Sequence, residues 1–305
     1  MMQSKIKIFV MCYNDFRSLK LCLSSIRKRT SFPYELIVVD NGSTDSTLLS
    51  YFAILASSGV YVHRNKLNLW VLGLNPALKK FLNNDDKYFV VTDSDIAVPM
   101  RKAGECWLTR LVGMMEKNPV IGKLGISLDL GYLKSRQHFK ETYLKEKYFQ
   151  SENNMKISNC FIAPVDTTVA IYRRDNFVFD FPKFVPGHAV LQRPYYYTCR
   201  TPADFICKHF GWRIYSEETP AQIAKDKTKA FCFTFMGAYL DGPFLKKIPK
   251  PYFWMYKVLR PLARLFWSIN VFCALISWFF KSVPFKLNEI QYLRKNASTS
   301  QENKR

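Results

Sequence analysis

The chain is poor in acidic residues, glycine and histidine relative to its 305-residue length. It has 24 Asp and Glu against 45 Lys and Arg, so the formal net charge is +21 and an anionic partner or surface is expected. No glycine precedes Gly42, which argues against a nucleotidyltransferase, because that class usually begins with a glycine-rich phosphate loop. The cysteines form no C-x-x-C pair, which argues against a structural zinc site.

The chain also lacks a long apolar run. Its uncharged apolar stretch near the C-terminus, 265–280, is shorter than the roughly 20 residues that a bilayer-spanning helix needs. Lys250, Lys257, Arg260 and Arg264 precede it near one predicted helical face, among aromatic residues. This pattern predicts a helix that lies in an anionic membrane interface. A helical hairpin packed on the rest of the chain and a short membrane span are the alternatives.

The first part of the chain alternates strand and helix patterns. Runs of β-branched and aromatic residues predict buried strands at 5–12, 34–39, 60–63 and 88–92. Apolar residues at helical spacing predict helices over 18–29 and 46–57, the second with Ser43 or Asp45 as N-cap. This alternation indicates an α/β fold with parallel pairing and right-handed crossovers.

Two carboxylates follow the last of these strands, in the sequence Asp93-Ser94-Asp95. In open α/β sheets, the ends of the strands form the edge at which ligands bind. Neighbouring carboxylates repel each other, and a hard divalent cation such as Mg2+ or Mn2+ compensates them well. A solvated turn is the alternative. A D-x-D-x-T phosphatase is disfavoured because Ala97 stands where that motif has threonine.

Four motifs in this order resemble those of GT-A glycosyltransferases of the family 2 type, which occur in bacterial surface-polysaccharide synthesis. The motifs are Cys12-Tyr13-Asn14, Val38 to Asp45, the segment from Asn65 to Ala77, and Asp93-Ser94-Asp95. The resemblance covers residues 5–99. It implies a GT-A (Rossmann-like) mixed, mainly parallel sheet with helices on both faces, followed here by a C-terminal helical appendage that is basic and apolar.

The resemblance also implies roles for individual residues. The residues that would bind a nucleotide-sugar are Tyr13, Asn14, Asp40, Asn41, Gly42, Asp45, Asn68, Asp93 and Ser94. Asp93 and Asp95 would hold Mn2+ or Mg2+ at the diphosphate, and UDP is the favoured nucleotide. Asp40 and Asp45 have an alternative as turn and cap residues, and Asn65 and Asn68 as ordinary loop residues.

The second half resembles these enzymes at fewer positions. The segment from Val165 to Arg173 resembles a strand beside the acceptor site in a subset of them. In that subset a segment ending in H-x-P-W-Y follows. Its predicted counterpart is Gln192-Arg193-Pro194-Tyr195-Tyr196, which lacks the histidine, and His188 is the candidate substitute.

Inverting transfer needs a carboxylate base near the acceptor hydroxyl. Asp166 and Asp204 are the two candidates, and Glu217 is the third. Asp204 is predicted to begin a short helix that is followed by Gly211 and an apolar strand, which is the family's layout for the base. The sequence leaves the choice between Asp166 and Asp204 open.

These predictions combine into a domain plan and a function. The plan has a catalytic domain over 1–241 (a donor half over 1–100 and an acceptor half over 101–241), a helical membrane-associating segment over 242–295, and a disordered tail over 296–305. The expected function is inverting, metal-dependent transfer of a sugar to a glycan or lipid-linked acceptor.

The expected location is the cytoplasmic face of the cell membrane, since most cysteines lie in apolar stretches and the short N-terminal apolar run is patterned as a strand rather than a signal peptide. No nucleic-acid partner is expected, because no such motif is present. The alternative functions are a basic non-enzymatic protein that binds nucleic acid or a membrane surface, and a nucleotidyltransferase.

Overall fold

A computed structural model of the chain describes residues 5–68, 70–101, 104–165, 168–174, 197–214, 249–281 and 291. The strands are β1 Ile6–Cys12, β2 Tyr34–Asp40, β3 Tyr61–Arg64, β4 Tyr88–Asp93, β5 Ile96–Ala97, β6 Ile121–Gly125, β7 Ser127–Leu128, β8 Lys156–Ile157, β9 Cys160–Ile162, β10 Ala170–Arg173, β11 Tyr197–Arg200 and β12 Ile206–His209. The helices are α1 Phe16–Arg29, α2 Ser46–Ser57, α3 Leu74–Phe81, α4 Trp107–Lys117, α5 Gly131–Lys134, α6 Lys140–Phe149, α7 Gly211–Ile214 and α8 Lys250–Lys281. Short 3-10 helices lie at Trp70–Gly73 and Gln137–Phe139.

The main sheet has the strand order β3-β2-β1-β4-β10-β6-β11-β9-β8 among the described residues. The half that contains β1 to β4 is wholly parallel. β10 runs antiparallel between β4 and β6, and β11 is again parallel to β6. The prediction of a mixed, mainly parallel sheet is therefore confirmed.

Helices cover both faces of this sheet, as predicted. Alternate residues of a strand point to opposite faces, and β1 shows this directly. Ile8 and Val10 join one core cluster with Leu23 of α1, and α2 and α4 contribute to the same cluster. Phe9 joins a separate cluster with Leu78 of α3. The two clusters are the two apolar layers of an α/β fold.

The ends of the first helices follow from their capping residues. Asp15 Oδ1 accepts a hydrogen bond from Ser18 N at 2.9 Å, so α1 begins two residues before its predicted start. α2 has its predicted bounds. Of the two N-cap candidates for α2, Asp45 holds the position, and its Oδ1 accepts from Leu48 N at 2.7 Å.

A second, three-stranded sheet has the order β5-β12-β7. The helix predicted to begin at Asp204 is wrong, and the segment forms β12 instead. Lys208 and His209 pair antiparallel with β5, while Ile206 and Cys207 pair parallel with β7. Hydrogen bonds to two neighbouring strands outweigh the weak helical pattern of so short a segment. The strand expected after Gly211 is likewise wrong, since residues from Gly211 form α7.

Two further predictions concern the C-terminal segment and the cysteines. The predicted helix is present as α8, but no helix in the described ranges is long and apolar enough to cross a membrane. Six of the described cysteines are buried, as predicted, and Cys273 in α8 is exposed. The boundaries at 241/242 and 295/296 lie outside the described residues, and the domain plan stays a prediction.

Candidate functional site

The four parallel strands end at one edge of the main sheet and bring polar residues together there. Asp40 lies opposite Cys12 on one side and opposite Arg64 on the other. Asp93 lies opposite Met11 on the adjacent strand pair. The strand register therefore places Asp40 and Asp93 at the same edge of the sheet, which is the edge where open α/β folds bind ligands.

Asp40 is fully buried and is bonded on both carboxylate oxygens. Its Oδ1 accepts from Ser43 N at 3.0 Å, and its Oδ2 accepts from Arg64 Nε at 3.0 Å. A buried carboxylate requires such partners because its desolvation is costly. Arg64 keeps 49% of its side chain exposed at the same edge. Sequence analysis missed Arg64, whose signal is a basic residue at the end of the third parallel strand.

Asn14 and Asp45 connect the loops that follow β1 and β2. Asn14 has a positive φ of 47°, a conformation that asparagine tolerates better than most residues. Its Oδ1 accepts from Thr44 N at 2.8 Å and from Asp45 N at 3.1 Å. Because the Asp45 carboxylate also caps α2, its alternative role as a cap residue is confirmed.

Asn41 connects this loop to the segment after β3. Asn65 Nδ2 donates to Asn41 Oδ1 at 3.0 Å and to the carbonyl oxygen of Gly73 at 2.9 Å. A Cβ at Gly73 would overlap Asn41 Oδ1, so this position requires glycine. Gly42 has a φ of 76°, and a Cβ there would lie 3.1 Å from the carbonyl carbon of Leu67. Asn65 is therefore a bridge between two motifs and not an ordinary loop residue.

The two remaining residues that were predicted to bind the donor differ in exposure. Tyr13 is exposed after β1, with 39% of its surface accessible. Asn68 is half-buried in the loop after β3. Tyr13 is thus available at the surface of the loop that also carries Asn14.

The Asp93-Ser94-Asp95 turn lies against β12. Ser94 is buried, and Asp93 and Asp95 are partly exposed. His209 Nε2 is 3.7 Å from Asp95 Oδ2, too far for a hydrogen bond, and His209 Nδ1 is buried with no hydrogen-bond partner among the described residues. Phe210 N donates to the carbonyl oxygen of Asp95 at 2.7 Å, which ties the turn to β12.

Glycine is required beside this pair. A Cβ at Gly211 would overlap Asp95 Oδ2 and would lie 2.7 Å from His209 Cε1. Burial is the main cause that raises the pKa of the Cys22 thiol, and the nearby Asp95 and Asp93 charges raise it further. Oxygen and imidazole donors that face each other across a position without a side chain fit a divalent cation.

Sequence analysis placed the histidine motif elsewhere. The predicted counterpart at 192–196 and the substitute His188 lie outside the described residues. The signal that was overlooked is His209-Phe210-Gly211-Trp212, which has the histidine and tryptophan spacing of H-x-P-W-Y. The Trp212 and His209 rings are 4.7 Å apart. Because His209 pairs with Ile96, the residue after Asp95, its imidazole lies beside the Asp95 turn.

The candidate bases occupy different situations. Asp204 is exposed and forms an ion pair with Arg110 Nη2 at 3.2 Å. Asp204 lies before Ile206, the first residue of β12, and His209 is the last residue of that strand. At about 3.3 Å per residue, Ile206 and His209 are roughly 10 Å apart. Asp166 and Glu217 lie outside the described residues.

Val165, the residue before Asp166, is described, and two contacts hold it in place. Lys123 Nζ donates to the carbonyl oxygen of Val165. A Cβ at Gly125 would overlap the Val165 side chain, so the two pack closely. β10 begins at Ala170, which pairs with Val91 of β4. Because that pairing is antiparallel, the chain that leads into β10 approaches from the edge at which β4 ends in Asp93.

Comparison with known proteins gives relatives of the same kind. A curated protein of Haemophilus influenzae, described as an uncharacterized glycosyltransferase, is 32% identical over 128 residues, which are 41% of this chain and 37% of the relative. Uncharacterized protein L142 of Acanthamoeba polyphaga mimivirus is 29% identical over 140 residues, 43% of this chain and 28% of the relative. The matches thus span well under half of these relatives' own lengths.

Similar solved structures share little sequence with this chain. The mannosyltransferase PcManGT from Pyrobaculum calidifontis, in complex with GDP-Man and Mn2+, is 17% identical and has a TM-score of 0.45, with 99% of this chain and 88% of that chain covered. Residues 1–349 of S. aureus TarS are 17% identical with a TM-score of 0.46, covering 91% and 92% of the two chains.

The family assignment comes from the sequence. The family model described as Glycosyl transferase family 2 matches residues 7–177, which is more than half of the chain. The match includes the strands that carry Asp40, Arg64 and Asp93 and the Asp95 turn. This chain belongs to glycosyl transferase family 2.

Proposed function

We propose that this chain transfers a sugar from a nucleotide-sugar, with UDP as the favoured nucleotide, to a glycan or lipid-linked acceptor in cell-surface polysaccharide synthesis. The observation that carries the proposal is the convergence of Asp40, Arg64, Asp93 and Asp95 at one edge of the parallel strands. Membership of family 2 supports sugar transfer as the reaction class. The choice of nucleotide, acceptor and pathway extends that family analogy.

The donor would lie along the ends of β1 to β4. The Arg64 side chain is half-exposed beside the buried Asp40 carboxylate, so the strand ends present a cationic hydrogen-bond donor that Asp40 holds in place. The Tyr13 side chain is exposed on the adjoining loop and offers a ring for a nucleobase. The bonds of Asn14 and Asn41 hold these loops in place before a ligand binds.

Asp95 and His209 would hold the divalent cation, Mn2+ or Mg2+, with Asp93 as the nearby second carboxylate of the turn. No three such side chains converge on a single point in the described part of the chain. The protein would therefore contribute few ligands, and the donor diphosphate would contribute others, as is common for Mg2+ sites with phosphate substrates. When bound, the cation would stabilise the negative charge of the departing nucleoside diphosphate. Glycine at position 211 lets the Asp95 carboxylate lie close to the backbone beside His209.

Asp166 is our proposed base, and transfer would invert the anomeric carbon. Its neighbour Val165 is anchored by Lys123, and the chain enters β10 from the edge that carries Asp93. A base must lie within hydrogen-bonding reach of the hydroxyl proton that it removes. Asp204 is less suited to this role because its carboxylate pairs with Arg110 beyond the far end of β12.

A thermal-shift screen tests the proposal. The full chain would be heated with UDP-sugars and GDP-sugars, each with and without Mn2+, and compared with Asp95→Ala. A ligand at 100 times its Kd should stabilise the folded state by about 2.7 kcal/mol. We expect a nucleotide-sugar to raise the Tm of the wild type only with Mn2+, and to raise that of Asp95→Ala much less. No shift with any nucleotide-sugar would overturn the proposed donor class.

A further inference from the structure

Helix α8 leaves most of its described surface uncovered. Tyr256 is buried and Phe253 is half-buried near the start of the helix. From Lys257 to Ile276, every side chain that the structure describes is exposed. A helix of 32 residues is about 48 Å long at 1.5 Å per residue, so the uncovered part is several turns. An apolar helix exposed over this length requires a partner.

Most of the exposed large apolar side chains of α8 fall on one narrow stripe, and Leu259 lies about 100° from its centre. The stripe consists of Val258, Leu262, Leu265, Ile269, Phe272 and Ile276. These positions are separated alternately by four and three residues. At about 100° per residue, they fall within an arc of about 80° on the helix. Such a stripe is continuous along the helix and suits a flat or shallow apolar partner.

Basic residues border this stripe, and acidic residues are absent from the helix sequence. Lys250 and Lys257 are exposed and lie about 80–100° from the stripe centre, along one edge. The sequence from Lys250 to Lys281 also contains Arg260 and Arg264 but no Asp or Glu. The helix therefore combines an apolar stripe with positive charge alone.

We propose that this stripe docks α8 in the interface of an anionic lipid membrane. The charge selects this partner, because anionic headgroups attract lysine beside a membrane while the apolar stripe enters the boundary of the acyl chains. A second copy of the chain would face the stripe with the same apolar residues, but it would also bring its own lysines close without any acid in the helix to offset them. A neutral apolar surface would leave Lys250 and Lys257 without a counter-charge.

Vesicle flotation of the full chain tests the proposal with two variants that differ in helical face alone. Ile269→Asp puts a carboxylate on the stripe, and Ser268→Asp puts the same carboxylate on the adjacent position, about 100° away. Both wild-type residues are exposed, so neither change disturbs a packed core. The vesicles are phosphatidylcholine alone, or phosphatidylcholine with about one third phosphatidylglycerol, at low and high salt.

The wild type should float with the phosphatidylglycerol vesicles and not with phosphatidylcholine alone, and high salt should weaken the binding. Ile269→Asp should reduce the bound fraction at least tenfold, whereas Ser268→Asp, on the edge that carries Lys250 and Lys257, should reduce it no more than about fivefold through its charge alone. Failure of the wild type to float, or equal loss in both variants, would overturn the proposal.

Sedimentation that shows a dimer disrupted by Ile269→Asp, without flotation, would assign the stripe to a second copy instead. Donor-dependent thermal shifts should be the same in all three proteins, which separates this test from that of the transferase.

Discussion

Replacement of Gly211 by alanine tests whether Asp95 and His209 act as one site. The added Cβ would overlap Asp95 Oδ2 and would lie 2.7 Å from His209 Cε1. Carbon atoms in contact prefer a separation of about 3.5 Å, so the imidazole ring would have to retreat by about 0.8 Å even if Asp95 also moved. Neither side chain is long, because aspartate and histidine each have only two rotatable side-chain bonds, and their backbones are held in the 93–95 turn and in β12.

The expected effect is on activity more than on folding. A misplacement of about 1 Å at a reacting site can lower the rate by about 100-fold. We therefore expect Gly211→Ala to lower Mn2+-dependent donor hydrolysis or transfer by about that factor and to raise the Mn2+ concentration needed for half-activation. The chain should still fold, because alanine favours a helix and the atoms that must move belong to two side chains rather than to the backbone.

Gly113→Ala is the matched control. Gly113 is inside α4, and a Cβ there would meet no atom within 4 Å. This variant should keep wild-type activity and gain about 0.5–1 kcal/mol of stability, since glycine is unfavourable within a helix. Steady-state rates over a Mn2+ titration, with a thermal melt of each protein, make the comparison. If Gly211→Ala has the wild-type rate and Mn2+ response, the Asp95–His209 pair does not form the metal site.

Four further outcomes are expected. Asp95→Ala should fold normally and lose metal-dependent turnover, and a wild-type rate would exclude Asp95 as a ligand. Asp40→Asn should weaken UDP binding by about 1–3 kcal/mol, as measured by calorimetry, because Arg64 loses the charged partner that holds it at the strand ends; an unchanged affinity would contradict this. Asn65→Ala should lower the Tm, because it leaves Asn41 Oδ1 and the carbonyl oxygen of Gly73 without this donor; an unchanged melt would show that the bridge is dispensable. Asp166→Asn should abolish transfer with donor binding intact while Asp204→Asn transfers normally, and the reverse result would make Asp204 the base.

The donor half of the fold was predictable because its signals are local. Each strand from β1 to β4 is a short run rich in β-branched or aromatic residues, and β2 and β4 each end in an aspartate. Parallel pairing and right-handed crossovers then bring Asp40 and Asp93 to one edge without further information. α2 was predicted to the residue because Asp45 supplies a cap directly before its first turn.

The rest of the site depends on contacts that a local pattern does not contain. The segment 206–209 has no strong strand pattern of its own and becomes β12 because β5 and β7 both offer it hydrogen bonds. Nothing in the sequence distinguishes Arg64 from other arginines. Only the register of β3 against β2 places it opposite Asp40. The helix expected at Asp204 was wrong for the same reason, since propensity is a weak guide for a few residues between two strands.

The pairing of β5 with β12 has a consequence for where the catalytic unit ends. The family match stops at residue 177, yet His209, which faces Asp95, lies beyond it. Phe210 N also donates to the carbonyl oxygen of Asp95, so the Asp93-Ser94-Asp95 turn takes part of its support from the same later segment. A fragment that ended at residue 177 would keep Asp40, Arg64 and Asp93 but would lose the strand that covers the turn. The proposed donor site therefore depends on β12, and its minimal unit extends at least through Gly211, where a side chain would overlap Asp95 and crowd His209.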